Sequence, residues 1–178
     1  MASAIEHYTL PDVRFDEPAK LLIVVAPYYK DIADQLILGA KQRIEAAGAT
    51  HDLVEVPGAL EVPTAIRLTS AAHYHGFVAL GCVIRGETTH YETVCNDSSR
   101  ALTLLGLEGL CIGNGILTVE NYRQAVVRAE VSGQDKGGGA AAAAMHLIAL
   151  DRRFTKPRLG RIGPSSTHIQ IAGTDPEP

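Results

Sequence analysis

A chain of 178 residues, 46% apolar and 20% charged, is long enough for one domain with its own core. No apolar run approaches the roughly 20 residues that cross a bilayer, and a net charge of −4 argues against nucleic acid as a partner. The opening MASAIEHYTLPDV lacks the basic start and apolar stretch of a signal peptide, and three cysteines, Cys82, Cys95 and Cys111, fit reduced thiols of a cytoplasm better than a disulfide framework.

Residues 1–19, with Pro11 and Pro18 and little periodicity, read as an extended segment ahead of a domain over 20–154. Leu21–Ala26 is a short Leu/Ile/Val run, expected to be a strand, and it ends in APYYKD. Asp31–Ala47 has helical spacing, with Ile32, Leu36, Ala40 and Ile44 at steps of four and Gly48 as its C-cap. His51–Val56 is the second strand and runs into VPGALEVP. A helix is expected over Leu60–His73, with Val62, Ala65 and Ile66 on one side. Phe77–Ile84 is the third strand and stops at RGETTH. Tyr91–Leu105 reads as a helix, Leu110–Ile116 as the fourth strand and Val119–Val131 as a helix. Gly138–Arg153 is an alanine-rich helix whose small residues suit close packing. After Phe154, Pro, Gly and Ser punctuate the chain, so 155–178 reads as a flexible tail. Arg152, Arg153, Lys156, Arg158 and Arg161 are expected to be solvated there.

The four strands lack strict alternation and read as buried on both faces. Strand–helix alternation then predicts an α/β fold with a parallel sheet, right-handed crossovers and helices on both sides. Such sheets bind ligands at the carboxyl ends of their strands. That rule puts APYYKD, VPGALEVP and VIRGETTH on one rim.

The rim carries chemistry. His90 opens a helix after a strand-end loop, where an imidazole can take or give a proton near neutral pH; its plain alternative is a helix-terminal histidine bonding backbone. Gly86-Glu87-Thr88-Thr89 offers backbone N–H groups and hydroxyls at a positive helix end, a phosphate cradle or an ordinary N-cap. Arg128 and Lys136 are the candidate anion partners from elsewhere, or solvated cations. Glu61 suits hydrogen bonds to a polyol or an amine, and Tyr28-Tyr29 suits stacking on a flat heterocycle or simple packing. His73 and His75 lack a third ligand at metal-site spacing and read as solvated.

VPGALEVP, GCVIRGETTHYETV (81–94), GILTVEN (115–121), Arg128 and Lys136-Gly137 stand in the order and spacing of one family. From about Leu21 to Phe154 the chain resembles the 6,7-dimethyl-8-ribityllumazine synthases. The resemblance implies a flavodoxin-like three-layer α/β/α sandwich around a four-stranded parallel sheet. It also implies a transferase of riboflavin biosynthesis that needs no metal or organic cofactor. Its reaction condenses 5-amino-6-(D-ribitylamino)uracil with 3,4-dihydroxy-2-butanone 4-phosphate to the lumazine, phosphate and water. On the family pattern His90 is the proton donor, and Glu87, Thr88 and Arg128 stand at the phosphate. Tyr28 stacks on the pyrimidine, Ala59, Leu60 and Glu61 contact the ribityl chain, Cys82, Val83 and Ile84 line the ring by backbone, and Lys136 is a further basic site residue.

Asn114 departs from the pattern. It stands where many members place an aromatic residue contributed across the subunit interface, and an amide there can hydrogen-bond the ring but stacks less well. VSGQDKGG (131–138) also lacks the common Gly-Thr-Lys version. The resemblance implies a cytoplasmic homo-oligomer, a pentamer at minimum and in some members a larger shell, that acts on small molecules and associates with riboflavin synthase, without nucleic-acid or membrane partners. Pro11 and Pro18 lean against a simple shell, because they would hinder a regular added strand. Two other readings stay open at this point: a flavin-binding carrier on the same sheet type, and a structural shell or storage protein.

Overall fold

In the computed structural model, residues 10–155 are described. They form β1 (Lys20–Val25), α1 (Lys30–Ala46), β2 (Thr50–Glu55), α2 (Glu61–Thr69), β3 (Gly76–Ile84), α3 (His90–Leu107), β4 (Ile112–Val119), α4 (Tyr122–Ala129) and α5 (Lys136–Thr155). The strands make one sheet in the order β2-β1-β3-β4, every pair parallel. Helices cover both faces, as the alternation predicts. This is the flavodoxin-like arrangement.

The two faces divide β1 by parity. Leu21, Ile23 and Val25 pack with Leu36, Ala40 and Ile44 of α1 and Ala141, Ala144 and Ile148 of α5. Leu22, Val24 and Ala26 pack with Val62 and Ile66 of α2 and Leu102 and Leu105 of α3. Both faces of the inner strands are apolar because both are covered. The outer strands depart from that expectation. β2 pairs only with β1, and its Leu53 and Val54 remain 36% and 37% exposed. In β4, Gly113, Gly115, Leu117 and Val119 are buried, whereas on the other face Asn114 and Thr118 are exposed and Ile112 and Ile116 half-buried against the α2–α3 side of the core. This is the alternation of an outer strand with one face only partly covered.

Element ends shift for local reasons. α1 closes in a Schellman motif, with Gly48 at φ +75 donating to the Glu45 carbonyl and Ala49 to that of Ile44. α3 closes in the same way on Gly109, at φ +97, and Leu110 donates to the Leu105 carbonyl. Leu110 therefore belongs to the helix end, and β4 runs Ile112–Val119 rather than Leu110–Ile116. α4 starts at Tyr122, not Val119, because Asn121 caps it by accepting from the Gln124 N–H at 3.0 Å. α2 stops at Thr69, well short of His73. α5 begins two residues early, and a β-carbon on Gly137 would meet the Leu36 carbonyl oxygen at 2.1 Å. The glycines thus serve close packing of α5 on α1.

Residues 10–19 form no helix or strand but lie against the body: Val13 and Ala19 are buried, Phe15 donates to the Ala47 carbonyl at 3.1 Å, and Asp12 pairs with Arg43 at 2.6 Å. Arg152 is not solvated as expected. It donates to the carbonyls of Glu17 and Pro18 and sits 5.1 Å over the Phe15 ring, because the last turn of α5 returns beside β1's entry. Lys156, Arg158 and Arg161 lie outside the described residues. His75, though exposed, accepts from the Lys20 N–H at 3.1 Å and so helps close the amino end of the sheet. Among the described residues no helix is long and apolar enough to cross a membrane.

Candidate active site

At the carboxyl ends the sheet is stepped. β1 pairs with β3 only as far as Leu80, and the last bond between them runs from the Ala26 N–H to the Leu80 carbonyl at 3.0 Å. β3 continues four residues further beside β4, to Ile84 opposite Val119. Leu80 faces β1, whereas the Arg85 N–H donates to Val119 on the β4 side at 2.9 Å. By strand parity the backbone groups of Cys82 and Ile84 point to the side β1 has left. A cleft of about 510 Å³ fills that space.

The loop after β1 brings Tyr28 and Tyr29 to one wall of the cleft. Tyr28 is 77% exposed and stands edge-on to Tyr29, ring centres 5.1 Å apart, so one aromatic face is free for stacking. Burial, with Tyr28 beside it, pushes the Tyr29 hydroxyl above its ordinary pKa. The loop after β2 supplies Pro57 to Leu60, and Glu61 opens α2. Its N–H donates to the Gly58 carbonyl at 3.1 Å, and its carboxylate lies over the same turn, where a β-carbon on Gly58 would meet Oε2 at 2.8 Å. A carboxylate at a helix start is favoured by the dipole, and here it also faces the cleft.

Cys82 turns its thiol into the core, where burial and then the charge of Asp31 push its pKa up to about 11. It is a packing thiol that offers its backbone to the cleft. His90, the first residue of α3, closes the opposite wall, with Val94 one turn further along. Its N–H donates to Thr88 Oγ1 at 3.4 Å, and α3 has no side-chain cap at Thr89.

Of the residues expected at the site, Tyr28, Ala59, Leu60, Glu61, Cys82, Val83, Ile84 and His90 line this cleft together. Glu87 and Thr88 are exposed on the loop that leads to His90 and do not line it. Asn114, Arg128 and Lys136 do not line it either. Asn114 borders a separate groove of about 590 Å³ between α3 and α5, whose walls include Leu102, Leu107, Leu147 and Phe154. Its Oδ1 accepts from the Ile116 N–H at 3.0 Å, which leaves the amide NH2 as the free donor. Arg128 is half-buried and donates to the Gln124 carbonyl at 3.1 Å, and Lys136 opens α5, exposed. Among the described residues no group of three or more His, Cys, Asp or Glu is placed to hold a metal ion.

The chain matches the family model of 6,7-dimethyl-8-ribityllumazine synthase over residues 18–152. It belongs to the lumazine synthase family. A 6,7-dimethyl-8-ribityllumazine synthase of Jannaschia sp. (strain CCS1) is 53% identical over 161 residues, covering 89% of each chain. The 6,7-dimethyl-8-ribityllumazine synthase 1 of Rhizobium meliloti is 53% identical over 145 residues, 78% of this chain and 95% of the relative. The synthase of Zymomonas mobilis is 52% identical over 138 residues, 77% and 99% respectively.

Ala26, Pro57, Gly58 and Val94 also line this cleft of the lumazine synthase family member and are not among the residues the sequence singles out. Val94 had a signal, since a residue four places after His90 shares its helix face. The engagement of Arg85 was also missed, because its partner Glu120 stands beyond the next strand.

Proposed function

We propose that the Tyr28–His90 cleft is where the chain forms 6,7-dimethyl-8-ribityllumazine. The chain is a transferase of riboflavin biosynthesis, which sets aside the flavin-carrier and storage readings. One observation supports this reading: an exposed tyrosine ring, the part of β3 that runs on beyond its pairing with β1, a carboxylate and an imidazole border one cleft of about 510 Å³. The pyrimidine of 5-amino-6-(D-ribitylamino)uracil stacks on Tyr28, and its polar edge meets the backbone of Cys82 and Ile84, with Val83 between them. The ribityl hydroxyls reach Ala59, Leu60 and Glu61. Phosphate of 3,4-dihydroxy-2-butanone 4-phosphate lies at the Glu87-Thr88 loop, where backbone N–H groups and the positive end of α3 favour an anion.

Held so, the amine attacks the ketone to give an imine and water, and phosphate is eliminated to leave an enol. After the enol tautomerises to a ketone, the second nitrogen closes the ring with loss of a second water. Each step moves a proton, and His90 is the group on the cleft wall suited to carry it. Close placement of the two substrates supplies much of the remaining advantage.

Arg128, Lys136 and Asn114 do not line the cleft of their own chain, so a neighbouring copy supplies them. The protein is then a pentamer at minimum, with sites between neighbours, working in the cytoplasm and associating with riboflavin synthase. Co-expression of His90→Ala and Arg128→Ala chains tests the shared site. Mixed rings contain some clefts with both residues intact, so their activity should exceed that of either parent. Activity no higher than the better parent would place both residues in one chain's site, and a monomer by light scattering would remove the neighbour altogether.

A further inference from the structure

Arg85 is the first residue beyond β3, and its side chain touches three others. Nε donates to Glu120 Oε2 at 2.7 Å, just past the end of β4. Nη1 donates to Glu92 Oε1 in the first turn of α3, and the guanidinium carbon sits 4.1 Å from the centre of the Tyr91 ring. Tyr91 and Glu92 are the two residues that follow His90. With carboxylates on two sides and an aromatic face below, this arginine is neutralised in place and is not a free anion clamp.

What surrounds it explains the need. α3 starts at His90 without a side-chain cap, and helix starts without partners for their first N–H groups are prone to fray. The loop before it is open: residues 85–90 are exposed, and a β-carbon at Gly86 would have no atom within 4 Å. The 3.4 Å bond to Thr88 is long. The first turn of α3 is instead tied, through Arg85, to the ends of two adjacent central and outer strands, β3 and β4.

We infer that Arg85, held by Glu120, is the positioning residue that fixes His90 on the cleft wall by clamping Tyr91 and Glu92. The inference rests on the role given to His90 above. Arg85 acts through His90 and does not touch substrate itself.

A double-mutant cycle tests it, with kcat and KM measured for Arg85→Met, His90→Ala and both together. Displacing a reacting group by an ångström or so costs up to about 100-fold in rate, so Arg85→Met should lower kcat roughly 10- to 100-fold and leave both KM values within about twofold. In the His90→Ala background the same change should cost less than about twofold. Arg85→Lys should recover part of the loss. Equal losses in both backgrounds would overturn the clamp while leaving His90 in its role. A His90→Ala enzyme as fast as wild type would overturn both. Should Arg85→Met fail to assemble, Glu120→Gln in the same cycle frees one anchor outside the cleft, with a smaller loss of the same His90-dependent form expected and an additive loss contradicting the proposal.

Discussion

Gly113 of β4 lies directly beneath Ala140 of α5, so close that a β-carbon on the glycine would stand 1.8 Å from the Ala140 carbonyl oxygen. The helix rests on the strand backbone at that point. Gly113→Ala must push α5 away from the sheet, and overpacking of this kind costs about 1–3 kcal/mol. Its melting temperature at fixed protein concentration should fall by several degrees. Gly139→Ala is the matched control, because nothing lies within 4 Å of its β-carbon and alanine is the better helix former by about 1 kcal/mol. That variant should melt no lower than wild type.

The amino end of the sheet carries a pH-dependent contact. Lys20 Nζ lies 2.7 Å from Asp52, and the Tyr74 hydroxyl donates to the same carboxylate at 2.6 Å. Lys20 first and Tyr74 second hold the Asp52 carboxyl below its ordinary pKa. The unfolded chain, with Asp near 3.9, therefore takes up the proton first as pH falls. The stabilisation is complete above about that value and is lost as pH drops through the lower folded value. Asp52→Asn should melt below wild type at pH 7, and the gap should narrow in melts toward pH 3. A gap that stays constant with pH would exclude the linkage.

Arg128→Ala separates the two substrates. On the proposed reading, in which Arg128 of a neighbouring copy meets the phosphate, the change should raise KM for the butanone phosphate by about tenfold or more, as for a lost charge-assisted bond, and leave KM for the pyrimidine unchanged. A rise in both would place Arg128 in general assembly of the site.

The alternation of strands and helices was legible because β1 and β3 are covered on both faces and appear as unbroken apolar runs, and α1 because its apolar steps end at Gly48. β2 misled because Leu53 and Val54 match the inner strands in composition while lying on an edge, a distinction that depends on sheet order. The start of β4 depended on Gly109 adopting positive φ, which nothing in LGLEGLCIG marks beyond the glycine itself. At the site, the loops that follow β1, β2 and β3 were legible because chemistry-bearing residues begin where each apolar run stops. The pairing of Arg85 with Glu120 was not, since only the β3–β4 register brings residues 35 apart in sequence together.

Lumazine formation by His90→Ala, beside wild type, tests the central claim most directly. With both substrates supplied and product followed by its absorbance, wild type should exceed the uncatalysed background, and His90→Ala should be slower by about 10²–10⁴-fold at unchanged oligomeric mass. Equal rates would show that the cleft closed by His90 is not where the protons of this reaction are moved.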